Sequence, residues 1–153
     1  MTGDIRPAGP EDLAAVEAIV RSAYAPYVPL IGREPGPMLD DYAALIRQGN
    51  VYALSDEGGI SGIIVLIPEE HAMLLDNVAV RPDAQGRGHG RALIGFAERV
   101  ARERGLGAIR LYTNEAMTEN VALYGRMGFV ETHRAEEHGF RRVYMTKRLD
   151  APS

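Results

Sequence analysis

The stretch Val78-Ala79-Val80-Arg81-Pro82-Asp83-Ala84-Gln85-Gly86-Arg87-Gly88-His89-Gly90-Arg91-Ala92-Leu93 decides how this chain is read. An apolar strand ends at Arg81-Pro82. A loop then carries glycines on alternate positions, and an amphipathic helix begins at once. Such a loop turns several backbone N–H groups toward one point, beside the positive end of a helix dipole. That makes an anion site, and the anion is most often a phosphate. A glycine-rich loop also serves as a plain tight connection, so the neighbouring letters matter. A Walker A loop needs Lys and then Ser or Thr after its last glycine, but Gly90 is followed by Arg91-Ala92. A dinucleotide fingerprint needs Gly-x-Gly-x-x-Gly. Counted from Gly86 its last position is Arg91, and from Gly88 it is Leu93, so both registers fail.

Upstream of the loop, residues 73–80 read as a strand, and residues 51–54 and 60–67 as a β-hairpin about Asp56-Glu57-Gly58-Gly59. Asp4-Ile5-Arg6 reads as a short first strand. Gly9-Pro10-Glu11-Asp12 opens a helix with Leu13, Val16, Ile19, Val20 and Ala23 on its apolar stripe. Pro26 ends that helix. Four prolines and two glycines within residues 26–37 predict irregular chain, and a second helix is expected over residues 38–48. Downstream, residues 91–103 read as a helix with Leu93, Phe96, Ala97, Val100 and Ala101 inward. A strand over 108–113, a helix over 118–127, and strands over 129–134 and 142–148 complete the chain. The order is β-α-α-β-β-β-α-β-α-β-β. Three consecutive strands after the helices argue for an α/β fold, α+β in character, with a mixed sheet.

At 153 residues a single domain over 1–153 is expected. Hydrophobic residues make 46% and charged residues 25%, which suits a globular chain. The formal net charge of −4 argues against a nucleic-acid module. There is no cysteine, so disulfides, thiolate metal sites and an acyl-cysteine intermediate are excluded. The longest apolar run, Ile63-Ile64-Val65-Leu66-Ile67, stops at Pro68, short of a membrane span. The first residues lack the apolar core of a signal peptide, so a cytoplasmic protein without membrane partners is expected. His71, His89, His133 and His138 show no metal-ligand spacing, and no serine sits in a nucleophile elbow.

Gln85-x-x-Gly88-x-Gly90, between that strand and that helix, resembles the acyl-CoA loop of the GNAT-type N-acetyltransferases. Their pattern is Gln or Arg, two residues, Gly, one residue, then Gly or Ala. Asn120-Val121-Ala122-Leu123-Tyr124-Gly125-Arg126-Met127-Gly128-Phe129 matches the second half of that family's signature. The two motifs span residues 74–129, and the element order covers nearly the whole chain. The resemblance implies a GNAT-like splayed sheet, acetyl-CoA as cosubstrate with no metal, and direct acetyl transfer to a primary amine of a small molecule or peptide. The alternatives are a silent acyl-CoA-binding regulatory module and a transferase for a different acyl-CoA. A homodimer is among the states the resemblance allows.

Carried over residue by residue, the resemblance assigns the coenzyme diphosphate to the backbone of Gly86, Arg87, Gly88, His89, Gly90 and Arg91, after the motif's Gln85. Arg87 and Arg91 add charge or are simply solvated, and His89 lies over the phosphates. Asn77, Val78, Ala79 and Val80 supply the backbone that pairs with pantetheine, and the N–H near Val78 polarises the thioester. Tyr124 protonates the departing thiolate. Read without the motif, it is a core aromatic on one stripe with Val121 and Met127. Many members carry an asparagine seven residues before the tyrosine, where this chain has Met117. Asn120 is then the preferred coenzyme contact and Asn114 the other. Asp76 is the candidate base, or a strand-end carboxylate paired with an arginine. Strict alternation places Asp76 with Val78 on one face and Asn77 with Ala79 on the other. The acceptor pocket is expected at Tyr24, Tyr27, Arg33 and Glu34, with Arg33 suited to a carboxylate. Residues 136–142 read as a solvated turn that covers the cleft in relatives.

Overall fold

The computed structural model describes residues 4–149. Strand β1 (Ile5–Pro7) leads into helix α1 (Leu13–Tyr24). The entry is fixed by Asp12, whose carboxylate accepts from the Gly9 N–H at 2.8 Å and from Arg6 at 2.9 Å. Those bonds, the Arg6 one foremost, hold the Asp12 carboxyl below the usual range. Val16, Ile19, Val20 and Tyr24 form the buried stripe of α1. The segment expected to be irregular is instead a run of single helical turns. It includes α2 (Val28–Ile31) and a 3-10 turn (Gly36–Leu39). Pro26, Pro29 and Pro37 sit in first turns, where a missing N–H costs nothing. Helix α3 (Tyr42–Arg47) starts later than expected, because the Asp41 side chain accepts from the Ala44 N–H at 3.0 Å and caps it there.

There follow β2 (Val51–Asp56), β3 (Gly59–Pro68), β4 (Met73–Val80), α4 (His89–Glu103), β5 (Ala108–Asn114), α5 (Thr118–Arg126), β6 (Val130–Glu137) and β7 (Phe140–Arg148). The seven strands make one mixed sheet in the order β1-β2-β3-β4-β5-β7-β6. Its one parallel junction, β4 with β5, is held by two pairs only, Met73 with Ile109 and Leu74 with Arg110. Beyond Leu74 the two strands part, and this splay places the site.

Two cores pack on the two faces of the sheet. Leu93, Ile94 and Ala97 of α4 and Tyr124 of α5 meet Leu54, Ile64, Leu75, Ile109 and Leu111 on one face. Val16, Ile19 and Val20 of α1 and Ile46 of α3 meet Val51, Ala53, Ile63 and Val65 on the other. Ile63 and Ile64 thus face opposite cores, which explains the unbroken apolar run in β3. Residues 136–142 are not a separate solvated turn. β6 and β7 extend to Glu137 and from Phe140, turning at His138 (φ 53°) and Gly139 (φ 82°). Glu137 holds the hairpin end, accepting from Arg142 at 3.2 Å and from the Tyr144 hydroxyl at 2.5 Å. Among the described residues no helix is long and apolar enough to cross a membrane.

Candidate active site

The loop between β4 and α4 is anchored by Arg81, which pairs with Asp83 at 2.5 Å and Asp56 at 3.5 Å. Gly86 (φ 82°) and Gly88 (φ 83°) then take left-handed conformations that cost a side-chain-bearing residue free energy. No heavy atom lies within 4 Å of where a Cβ would stand at either position, so the space over the loop is open. Among the described residues, the N–H groups of residues 86–91 meet no acceptor in the protein. They and the positive end of α4 face a groove of about 440 Å³, also bounded by Val78, Ala79, Val80, Tyr27, Asn120 and Leu123. Gln85 braces the loop by donating from Nε2 to the Val80 carbonyl at 3.1 Å. Arg91 lines the groove with its guanidinium against Met127 Sδ at 3.5 Å, and Arg87 is exposed. His89 is not a loop side chain. It is the first residue of α4, only 6% exposed, with both ring nitrogens buried and unpartnered.

The sheet carries a bulge where the splay begins. Leu66 pairs with Leu75, but Val65 pairs with Asn77, which leaves Asp76 as the extra residue. The bulge breaks the alternation expected from sequence. Asp76 and Asn77 both turn to the α1 face, and Asp76 is no longer grouped with Val78. The Asn77 amide is buried there, accepting from the Tyr24 hydroxyl and donating to the Tyr42 hydroxyl at 2.8 Å. Tyr42 in turn donates to the Pro37 carbonyl. The Tyr24 hydroxyl also lies 3.2 Å from the Val78 carbonyl, so that carbonyl points into the splay. In a strand the N–H of the same residue points the same way.

Beside the bulge lies a cavity of about 110 Å³, lined by Tyr24, Asp40, Asp76, Tyr112, Met117, Tyr124, Phe140 and Arg142 among others. Tyr124 is 4% exposed, with its ring edge-on to Phe129 at 5.7 Å. Its body belongs to the core, yet its hydroxyl makes no hydrogen bond to the protein among the described residues and borders the cavity. Burial pushes the Tyr24, Tyr42 and Tyr124 hydroxyls well above the usual phenol range, so all three stay protonated near neutrality. Burial raises Asp76, an effect partly offset by a hydrogen bond with Asp40 and by the charge of Arg142. Asp40 stands at the solvent-facing mouth and is raised by desolvation and then by the charge of Asp76. Asp76 makes no ion pair with an arginine among the described residues. Arg142 instead covers the Tyr112 ring at 4.3 Å and bonds Glu137.

The sequence-predicted residues divide between these spaces. Tyr24 and Met117 border both groove and cavity, while Tyr27 and Asn120 border the groove alone. Asn114 lines the cavity, but its side chain accepts from the Ala116 N–H at 2.9 Å and shapes the turn into α5. Arg33 and Glu34 stand outside the cavity, beside a shallow depression with Leu39, His138 and Phe140. Arg33 lies over the Phe140 ring at 3.7 Å and donates to the His138 carbonyl, tying the helical-turn segment to the β6–β7 hairpin. The guanidinium that lines the cavity belongs to Arg142. Asp40 and Tyr112 were missed from sequence because no local pattern marks them, while Phe140 and Arg142 belong to the stretch 136–142 expected over the cleft. They meet only through the folded topology.

The model of the Acetyltransferase (GNAT) family matches residues 16–129. A mycothiol acetyltransferase of Rhodococcus opacus (strain B4) is 45% identical over 56 residues, covering 37% of this chain and 18% of that protein. A mycothiol acetyltransferase of Cellulomonas flavigena is 47% identical over 55 residues, covering 36% and 16%. The match therefore spans less than a fifth of these relatives' length. The crystal structure of the ribosomal-protein-S18-alanine N-acetyltransferase from Escherichia coli superposes with a TM-score of 0.79 at 22% identity, over 100% of this chain and 97% of that one. The PaiA N-acetyltransferase of Thermoplasma acidophilum, in complex with coenzyme A, gives 0.81 at 18% identity over 97% and 100%. At such identities these structures show the fold.

Proposed function

Because the chain belongs to the acetyltransferase (GNAT) family, we propose that it transfers the acetyl group of acetyl-CoA directly to a primary amine of a small molecule or peptide, with the coenzyme in the groove and the amine in the cavity. One observation carries this reading. The groove and the cavity meet at Tyr24 and Met117, where the sheet splays, and Tyr124 lines the cavity beside that meeting point. A donor and an acceptor entering from the two sides would meet there.

The residues present fit the coenzyme. Unsatisfied N–H groups on residues 86–91, left-handed glycines and a helix N-terminus form a diphosphate cradle. Pantetheine would pair with the free edge of β4 at residues 77–80, as an added strand does. The coenzyme supplies an activated thioester. Val78 directs its N–H into the splay, where it stabilises charge on the reacting carbonyl oxygen; such a donor is worth on the order of 3 kcal/mol. Tyr124 keeps its proton until the sulfur departs. A phenol is ordinarily a weaker acid than a thiol, but a thiolate formed in the same dry junction is itself pushed up. Asp76 takes the acceptor's proton.

The names of the relatives point to different products or acceptors: mycothiol in one group and a ribosomal-protein alanine in another. The acceptor of this chain is therefore assigned by class. The test is a panel of small amines and peptide N-termini with acetyl-CoA, reading thiol release. Absence of heat on titrating the protein with coenzyme A or acetyl-CoA would remove the basis of the proposal.

A further inference from the structure

We propose that Asp40 and Asp76 act as one base: their carboxyls face each other across the cavity mouth, hold a single proton between them, and take the acceptor's ammonium proton when both are ionised. Asp40 follows the 3-10 turn that ends at Leu39, and Asp76 is the bulged residue of β4, so the two are far apart in sequence. Both line the same cavity, and each carboxyl shifts the acidity of the other. The placement is built rather than incidental. The bulge turns Asp76 to the α1 face, and the buried Tyr24–Asn77–Tyr42 chain fixes the bulge against the Pro37 carbonyl three residues before Asp40. Independently, the hydroxyl of the deeply buried Tyr124 borders the same cavity without a protein partner. An acid that waits for a leaving group and a base that waits for an ammonium thus flank one space.

The groups facing the pair are Tyr24 of α1, Tyr42 of α3, Tyr112 of β5, Tyr124 of α5 and Arg142 of β7. The tyrosines stay neutral near neutrality. Arg142 supplies the one facing positive charge among the described residues, and Glu137 already shares it. Two carboxylates so placed repel, and the proton they share lowers that cost. Asp40 opens to solvent, which screens the pair and gives its proton an exit.

The protons balance. An alkylammonium carries three N–H protons and the amide product carries one. The first goes to the ionised pair, leaving a neutral amine whose lone pair forms the N–C bond. The second is released as that bond forms, and makes good the proton that Tyr124 gives to sulfur when the C–S bond breaks. The proton on the pair then leaves to solvent.

This inference rests on the acetyl-transfer reading, but its first test needs no coenzyme, so the two fail separately. Carbon-13 NMR of the full chain, labelled in aspartate carboxyls, is followed against pH. In the unmodified protein the Asp40 and Asp76 resonances each move in two shared steps. The upper step lies at least about one unit above the ordinary value near 3.9. In Asp40→Asn the Asp76 resonance moves once, at least about one unit below that upper step, and Asp76→Asn does the same to Asp40. Single steps that ignore the partner's replacement overturn the proposal, and the unmodified protein alone decides the point if a variant fails to fold. With an amine that turns over, the acid limb of kcat/KM moves to lower pH in Asp40→Asn. An unmoved limb removes Asp40 from the base.

Discussion

The groove and the cavity share Tyr24 and Met117 but are built on opposite plans. The groove has a floor of consecutive backbone, one edge of β4, one loop and the first turn of α4, flanked by residues of α1 and α5. The cavity is made of side chains from α1, the 3-10 turn, β4, β5, α5 and β7. A backbone site depends on local conformation and tolerates changes of side chain. A side-chain site depends on which elements the topology brings together, and each member is replaceable. The coenzyme half is therefore the part expected to stay fixed while the acceptor half varies.

The largest effect falls on the cavity wall beside the junction. Tyr124→Phe removes the proton donor and leaves the ring's packing against Phe129 intact. It should lower kcat by about 10²-fold or more while coenzyme affinity, read by calorimetry, changes less than about twofold. A matching loss of affinity would place the hydroxyl in the groove and blur the two plans into one. Next comes the loop itself. Gly88→Val forces a β-branched residue to a φ of 83°, a strain of roughly 1–3 kcal/mol. Coenzyme affinity should fall about tenfold to a hundredfold, with the aspartate carboxyl titrations unmoved. If Gly88→Val left affinity intact, the diphosphate would be held by side chains such as Arg91, and the contrast would fail.

His89 tests the boundary between backbone and side chain within the groove. A buried imidazole without a hydrogen bond costs roughly 1–3 kcal/mol. His89→Leu should therefore raise the denaturant midpoint of the free protein. If a ring nitrogen finds its partner only on the coenzyme, the same variant weakens coenzyme binding by several-fold. An unchanged affinity makes His89 a packing residue of α4 and leaves the cradle wholly to the main chain.

The legibility of the sequence followed the same division. The loop at residues 85–91 was readable because glycine spacing, a strand end and a helix start are local signals. The splay was legible only through the family resemblance, since nothing in the letters of β5 marks where it leaves β4. The bulge at Asp76 defeated strict alternation. A one-residue insertion changes the face of every following side chain, and the apolar pattern of β4 on both faces hid it. Asp40 was unreadable because the sequence placed it inside a helix over residues 38–48, whereas it follows a 3-10 turn and precedes the Asp41 cap. Arg33 misled for the converse reason. An arginine in a loop near a cleft looks like a carboxylate ligand until Phe140, distant in sequence, is seen beneath it.

Arg33 also gives the smallest predicted effect, and the sharpest one for the acceptor half. Its guanidinium lies over Phe140 and bonds the His138 carbonyl, and Phe140 lines the cavity. The contact is exposed, where a cation–π pair is worth about 0.5–1 kcal/mol. Arg33→Ala should thus cost no more than about that in stability, read by urea unfolding. It should raise the acceptor KM a few-fold by loosening the wall that Phe140 forms, with coenzyme affinity and the pH profile unchanged. Arg33→Lys keeps a positive charge and loses the planar fork, so it should recover part of that KM. A loss beyond about a hundredfold, confined to acceptors that bear a carboxylate, would instead put Arg33 in direct contact with the substrate. The segment between α1 and α3 would then swing over the cavity in use, and the acceptor half would be a site that forms around its ligand while the coenzyme half stands ready-made.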